Sequence, residues 1–360
     1  MSELEQLLSD LVAIESVNPA LDPAGSGEAR IAAFVAAWLG ERGLDVTVTD
    51  AAPGRPNVVA RAGAGNGRRL LLLAHTDTVS GAVEQRVEGG RLHGRGAYDM
   101  KAGLAAAMAA AVALRDVAGE AVVAAVCDEE AGALGTRALL AADARFDAAI
   151  VTEPTDEQVA IAHKGFVGFE IETRGRAAHG SRPDLGEDAI LAMAPVLGEL
   201  RELDARMQSG REHDLLGAAS LHASIIEGGQ EFSSYPDRCL LTGECRTLPG
   251  DDPTEALAGI AARAGGELRI TYVGEPFENS PDSEIARLVE REAGTSFVGM
   301  GYWADSALVA AAGIPTVLFG PVGAGAHADD EWVELASVQR VCDALVDAAR
   351  VFLSGAGARV

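Results

Sequence analysis

The chain has 360 residues, 48% hydrophobic and 23% charged, the balance of a folded globular protein and not of a disordered one. That length exceeds what one compact domain usually holds, so two domains are expected. Lys and Arg number 29 against 54 Asp and Glu, a net charge of −25 at pH 7 that lacks the basic footprint nucleic-acid binding requires.

Met1-Ser2-Glu3-Leu4-Glu5 shows no basic segment followed by an apolar core, so no export signal is expected. Residues 4–16 and 28–41 carry apolar side chains at helical spacing, the second run stopping at Arg42-Gly43. Short apolar runs at 57–60, 70–74, 122–126 and 148–151 read as strands buried on both faces, with an alanine-rich helix over 101–114 between the second and third. The most apolar stretch, 103–126, is broken by Arg115, Asp116 and Glu120 and falls short of a membrane span. Cys127, Cys239, Cys245 and Cys342 form no C-x-x-C pair and read as reduced thiols, so a cytoplasmic protein is expected.

From Gly165 the pattern changes. A strand at 166–173, a helix at 186–206, strands at 220–227 and 237–247, a helix at 253–264 and a strand at 267–273 spell β-α-β-β-α-β, the split-βαβ, ferredoxin-like order. After Pro281 the α/β pattern returns: helices from Ser283 and Ser306, a strand at 316–319 and a last helix at 335–353. The expected architecture is an α/β domain over 1–164 and 275–360, interrupted by an α+β domain over 165–274.

The residues standing where the apolar runs stop are the informative ones. The run 70–74 leads into His75-Thr76-Asp77, 121–127 into Asp128-Glu129-Glu130, 148–152 into Glu153-Pro154, and 316–319 into a glycine-rich loop with His327. Asp99 lies in Gly94-Arg95-Gly96-Ala97-Tyr98-Asp99-Met100-Lys101, just before the alanine-rich helix. In an open α/β sheet ligands gather outside the carboxyl ends of the strands, so these side chains are expected to converge on one edge. Clustered carboxylates repel one another, and a divalent cation relieves the repulsion. Nitrogen and oxygen donors without thiolate favour zinc, cobalt or manganese. Each piece taken singly is ordinary for a solvated turn; four strand ends and a helix start each delivering such a group is not.

Together these motifs resemble the co-catalytic zinc amidohydrolases and exopeptidases, the family of acetylornithine deacetylase, succinyl-diaminopimelate desuccinylase, aminoacylase and the glutamate carboxypeptidases. The resemblance runs in order along nearly the whole chain. It implies a zinc-exopeptidase-like catalytic domain with a central mixed sheet, and makes the inserted ferredoxin-like domain a lid through which two copies dimerise. It makes Asp99 a bridge between two divalent metals, zinc with cobalt or manganese as alternatives. His75 and Glu153 would complete one site, Glu130 and His327 the other. Asp77 would hydrogen-bond the far nitrogen of His75 and fix its tautomer, Glu129 would be the general base, and the peptide bond after Asp99 would be cis. A water shared by the two ions would become acidic enough to attack an amide carbonyl as hydroxide near neutral pH.

In the inserted domain, His179 in Ala178-His179-Gly180-Ser181 resembles the lid histidine lent across the dimer to the substrate carbonyl. Arg246 in Glu244-Cys245-Arg246-Thr247 resembles the lid arginine that grips the substrate carboxylate. Gly228-Gly229 matches the substrate-contacting loop, although Ser234 precedes Tyr235-Pro236 where many members carry asparagine. His93, His163, His213 and His222 fit no motif position. The expected activity is hydrolysis of the amide of an N-acyl-amino acid, with cleavage of a peptide bond beside a free carboxylate as the alternative. A binding-only protein would have no use for Glu129. The expected partners are a small N-acyl-amino acid or short peptide and a second copy of the chain, with neither nucleic acid nor membrane.

Overall fold

The computed structural model describes residues 1–355. The chain divides into two compact units: Met1–Ile161 with Asn279–Val298 and the segment from Ala304 onward, and Ala162–Glu278 with Gly299–Trp303.

The first unit is built on a mixed sheet. Its strands run in the spatial order Asp45–Ala52, Arg55–Gly63, Glu120–Val126, Arg69–His75, Ala148–Val151, Thr316–Leu318, Val159–His163. The four middle strands, from Glu120–Val126 to Thr316–Leu318, pair in parallel, and antiparallel strands flank them. Three of the short apolar runs, and Thr316–Leu318, supply these four strands, Leu70–Leu73 and Ala121–Val126 being fully buried because helices cover both faces, whereas the run 57–60 lies in the antiparallel neighbour Arg55–Gly63. Asp45–Ala52 escapes the same reading because it is an edge strand largely open to solvent, where Val46 and Val48 alternate with threonine instead of forming a run. The helix Leu134–Ala142 and the strand Val159–His163 also lie outside the expected elements. The first helix, Glu3–Ala13, ends earlier than its apolar pattern, with Ile14 already extended; Ser2 and Glu5 close its start as a capping box.

The helix Ala102–Ala113 is buried over nearly all its length. Alanine and glycine let it lie close: a Cβ on Gly103 would sit 1.8 Å from the carbonyl oxygen of Thr152. That approach brings the start of this helix, with Asp99 just before it, against the end of the strand that leads to Glu153.

In the second unit the strands Ser220–Gly228, Arg238–Thr247, Gly165–Arg174 and Glu267–Gly274 form one sheet in that order, every pairing antiparallel. With the helices Ala189–Gln208 and Thr254–Arg263 this is the β-α-β-β-α-β arrangement read from the sequence. Alternate residues Val167, Phe169 and Ile171 enter a core with Met193, Val196, Leu200 and Ile260, while the other face of the sheet carries Phe166, Glu244, Arg246 and Tyr272. The expected division at 164/165 and 274/275 shifts to 161/162 and 278/279. The reason is local: Ala162 and His163 pair with Glu278 and Phe277, and Trp303 meets the rings of Phe166 and Tyr272 edge-on, which draws Gly299–Trp303 into this unit. Among the described residues no helix is long and apolar enough to cross a membrane.

Candidate metal centre

Parallel strands that start level also end level, and the first unit uses this to assemble a cluster. The strand Arg69–His75 delivers His75; Thr76 N–H then donates to the Val126 carbonyl at 2.8 Å, locking this strand end to that of Glu120–Val126, after which Asp128, Glu129 and Glu130 follow. Ala148–Val151 leads to Glu153, and Thr316–Leu318 to the loop of His327.

Two groups able to hold a metal ion result: His75, Asp99 and Glu153; and Asp99, Glu130 and His327. Within each, the donor atoms lie within 4.8 Å of one another. Asp99 belongs to both. Its Oδ1 is 3.2 Å from His75 Nε2 and its Oδ2 3.3 Å from His327 Nε2. His327 Nε2 is 3.1 Å from Glu130 Oε2, and His75 Nε2 is 3.8 Å from Glu153 Oε1. Glu129 belongs to neither group, yet its Oε2 comes within 3.9 Å of His75 Nε2. The Asp99–Met100 peptide is cis.

The electrostatics of the cluster are dominated by burial and by neighbouring like charges. Burial pushes the carboxyls of Glu129 and Glu153 well above the usual range, and that of Glu130 upward, their negative neighbours adding to it. His75 moves up even though burial opposes its charge, because Asp99, Glu153 and Glu129 surround it. His327 is pushed up to about 10 by its bonds to Asp99 and Glu130. The Asp99 carboxyl is held below its usual range, burial being outweighed by the two imidazoles. Three carboxylates and two imidazoles with no thiolate form a donor set suited to two divalent cations sharing Asp99.

Asp77 meets the far nitrogen of His75 through its backbone carbonyl, not its carboxylate. Its carboxylate is 3.7 Å from His75 Nδ1, too far to accept a hydrogen bond; Nδ1–H donates instead to the Asp77 backbone carbonyl at 2.9 Å. The carboxylate accepts from the backbone N–H of Glu129 and of Glu130, each at 3.1 Å, and from Asn18 Nδ2 at 2.7 Å. The turn after the strand presents the carbonyl to the ring and sends the side chain onward. Asp77 thus fixes both the His75 tautomer and the backbone of the two glutamates.

Several supporting residues carry no signal in the sequence. Arg55 donates to Asp128 at 2.8 Å and to Glu28 at 2.7 and 2.5 Å, and Asn18 joins Asp128 to Asp77. This buried network clamps Asp128 at φ +69°, a left-handed conformation rare for a residue with a side chain, and so aims Glu129. Glu331 accepts from the backbone N–H of Gly96, Tyr98 and Asp99 at 2.9–3.0 Å and from Arg95 at 2.9 Å, pinning the loop that presents Asp99. In Asp329-Asp330-Glu331 it reads as part of a solvated acidic turn, yet it is 1% exposed. Asp305, equally buried, accepts from Thr136 Oγ1 at 2.6 Å, and burial lifts its carboxyl to about 6. Lys101 donates to the Ile14 carbonyl at 2.7 Å, and burial depresses it to about 7. His93, His163, His213 and His222 join neither group.

The remaining candidates lie in the second unit. His179 is exposed, on a short ladder with Ser234, and its Nδ1 lies 2.9 Å from Ser181 Oγ. Gly228 ends its strand against Ile190, and Gly229 takes φ +76° as the chain turns away. Arg246, one-third exposed, donates from Nε to Glu244 at 2.7 Å and lies over the Phe166 ring.

Residues 71–351 match the model of peptidase family M20/M25/M40. The chain is similar to the acetylornithine deacetylase of Vibrio campbellii, 29% identical, over 95% of this chain and 96% of that protein. Among solved structures it is similar to a tripeptidase from Staphylococcus aureus (TM-score 0.79, 21% identity, 97% of this chain and 98% of that one). It is also similar to the YXEP protein of Bacillus subtilis, a dinuclear metal binding peptidase (TM-score 0.72, 16% identity, 98% of each chain). At such identities the structural likeness speaks for the fold.

Proposed function

The chain belongs to peptidase family M20/M25/M40 and is a metal-dependent hydrolase; on that premise we propose that it removes the acyl group from an N-acyl-amino acid, with Glu129 as general base. One observation carries the assignment of Glu129: it is a buried carboxyl beside His75 that belongs to neither group of metal donors. Deacylation, as opposed to peptide cleavage, is supported by likeness to the acetylornithine deacetylase along nearly the full length of both chains.

In this reading His75, Asp99 and Glu153 hold one divalent ion, and Asp99, Glu130 and His327 a second. Zinc suits these donors, as do cobalt and manganese. When bound, the ions supply Lewis acidity and make a water acidic near neutral pH. The chain's own groups do the rest. Because Nδ1 of His75 donates to the Asp77 carbonyl, its Nε2 lone pair faces Asp99 and Glu153. Asp77 holds the backbone of residues 129 and 130, so one carboxylate binds metal while its neighbour stays free. Glu129 takes a proton from the attacking water and returns it to the nitrogen of the leaving amino acid, and its place beside His75, outside both donor groups, suits both steps.

Arg246 takes the substrate's carboxylate, with Gly228 and Gly229 lining its approach, and His179 serves the carbonyl of a second copy's substrate. The strand Ser220–Gly228 supports a homodimer: it is a sheet edge with Ile225 57% and Ile226 51% exposed, beside a helix whose Leu191 is 70% exposed. The four cysteines are free and buried, which suits the reducing cytoplasm.

The test is metal analysis together with turnover of N-acetyl-amino acids by the wild type and a Glu129→Gln variant. The expected result is about two ions per chain in both proteins, with kcat lowered by about 10²–10⁴ in the variant. Unchanged turnover rejects Glu129 as the base, and faster cleavage of simple dipeptides than of N-acetyl-amino acids makes the protein a peptidase.

A further inference from the structure

We propose that Phe166, Tyr272 and Trp303, on the sheet of the second unit, form the wall that receives the substrate's amino-acid side chain, making the enzyme selective for N-acyl-amino acids with apolar or aromatic side chains. This rests on the reading of Arg246 as the carboxylate anchor.

Arg246 is prepared for a ligand. Glu244 engages only its Nε, at 2.7 Å, and among the described residues Nη1 and Nη2 make no hydrogen bond. The outer edge of the guanidinium is therefore open to a carboxylate in the two-point geometry that arginine favours. Glu244 also holds the plane of the group in place. An amino acid's side chain springs from the carbon next to its carboxylate, and each bond adds only about 1.5 Å. Whatever the substrate carries there comes to lie within a few ångströms of Arg246.

One ring stands at that distance, and two more continue the apolar surface from it. The Arg246 guanidinium carbon is 5.2 Å from the centroid of Phe166, whose backbone pairs with that of Arg246 across the sheet. Phe166 stacks on Tyr272, with centroids 4.7 Å apart and planes at 10°. Trp303 meets both edge-on at 6.3 Å, at 78° and 84°, with its Nε1–H donated to the Glu275 carbonyl. Edge-on and stacked contacts hold such a cluster rigid. Two glycines make room for it. A Cβ on Gly274 would lie 3.0 Å from Trp303 and 3.1 Å from Phe166. Gly168, paired with both Glu244 and Tyr272, places no side chain between them. All three rings remain half-buried, so apolar surface is still available to a ligand.

The charges near the rings favour the same class of substrate. Lys164 donates to the Ala218 carbonyl at 2.5 Å, two residues before Ser220, which pairs with Arg246, so the two cations are neighbours, and the ammonium is disfavoured first by burial and then by the charge of Arg246. A substrate with an ammonium side chain would meet two like charges, and Glu244, the carboxylate beside Arg246, is already engaged. An acidic side chain would compete with the substrate's own carboxylate for Arg246. An apolar side chain meets neither conflict and buries ring surface.

The experiment is steady-state kinetics of the zinc-loaded enzyme on the N-acetyl derivatives of glycine, leucine, phenylalanine, ornithine and glutamate, for the wild type and for Phe166→Ala and Phe166→Leu. The expected wild-type kcat/KM for leucine or phenylalanine exceeds that for glycine by about 10-fold or more, with ornithine below glycine. Phe166→Ala should lower the phenylalanine-to-glycine ratio by about 10-fold, and Phe166→Leu should restore most of it, which separates lost contact from lost folding. Preference for ornithine or glutamate, or a ratio untouched by Phe166→Ala, overturns the proposal and leaves the deacylase reading standing. Failure to hydrolyse any of the five, glycine included, overturns both.

Discussion

The two units hold their chemistry in opposite ways. In the first, the candidate groups are mostly buried, each fixed by neighbours that are themselves fixed: Asp77 by Asn18, Asp128 by Arg55, the Asp99 loop by Glu331. In the second, His179 and Arg246 stand on an open sheet or a short exposed ladder, with one tether each to a side chain of their own segment, Ser181 and Glu244. Rigid burial suits groups whose proton affinities must be displaced and whose spacing must match an ion. Open placement suits groups that meet substrates of varied shape. The contrast teaches that a substitution should cost stability and turnover in the first unit, and substrate affinity in the second.

The sharpest way to break that contrast is Arg55→Met. Removing the cation leaves Glu28 and Asp128 buried without their partner, a change that costs about 3–5 kcal/mol. Thermal unfolding should show a large fall in Tm, and the folded fraction should lose about 10–100-fold in kcat through misdirected Glu129, the usual effect of losing a second layer around a metal site. A variant with wild-type Tm and kcat would mean that the clamp on Asp128 does nothing. Arg246→Lys tests the other side. It should raise KM by about 10-fold for N-acyl-amino acids, as two-point binding becomes a point charge, with Tm nearly unchanged. A fall in kcat at constant KM would instead place Arg246 in the chemistry.

A smaller effect sharpens the account of burial. Asp305 keeps its proton up to about pH 6 in the folded protein, against 3.8 as its ordinary value. Its contribution to stability is therefore complete below about pH 3.8 and lost as pH rises through 6, by at most about 1.4 kcal/mol per pH unit. Relative to Asp305→Asn, which titrates nothing and still accepts from Thr136, the metal-free wild type should lose stability across that window. Parallel denaturation curves from pH 4 to 7 would show that the buried carboxyl has no such role.

How much of this was legible in the sequence follows from the range of each interaction. Apolar periodicity is local, so the parallel strands, the helix Ala102–Ala113 and the β-α-β-β-α-β insertion can be read directly. The convergence of His75, Glu130, Glu153 and His327 follows from one topological rule, that parallel strands share an end, and Asp99 joins them from the start of a closely packed helix. The edge strand Asp45–Ala52 cannot be read that way because solvent on its faces removes the apolar run. Arg55, Glu28, Asn18 and Glu331 are silent for a different reason: their partners lie tens to hundreds of residues away, and an isolated charge in a turn looks solvated until the partner is in place. Asp77 shows the finest limit. Its place beside His75 is visible in the sequence, but whether carbonyl or carboxylate faces the ring is decided by the backbone torsions of the turn.

The hold of Glu331 on the Asp99 loop also bears on the order in which the protein is born. The second unit has its four strands and two helices by residue 274, whereas the first still waits for its last parallel strand, for His327, and for the carboxylate that gathers three backbone amides around residue 99. A chain leaving the ribosome thus has the strands of its inserted unit before the first unit is complete, and the cradle for cations closes only once residue 331 has emerged.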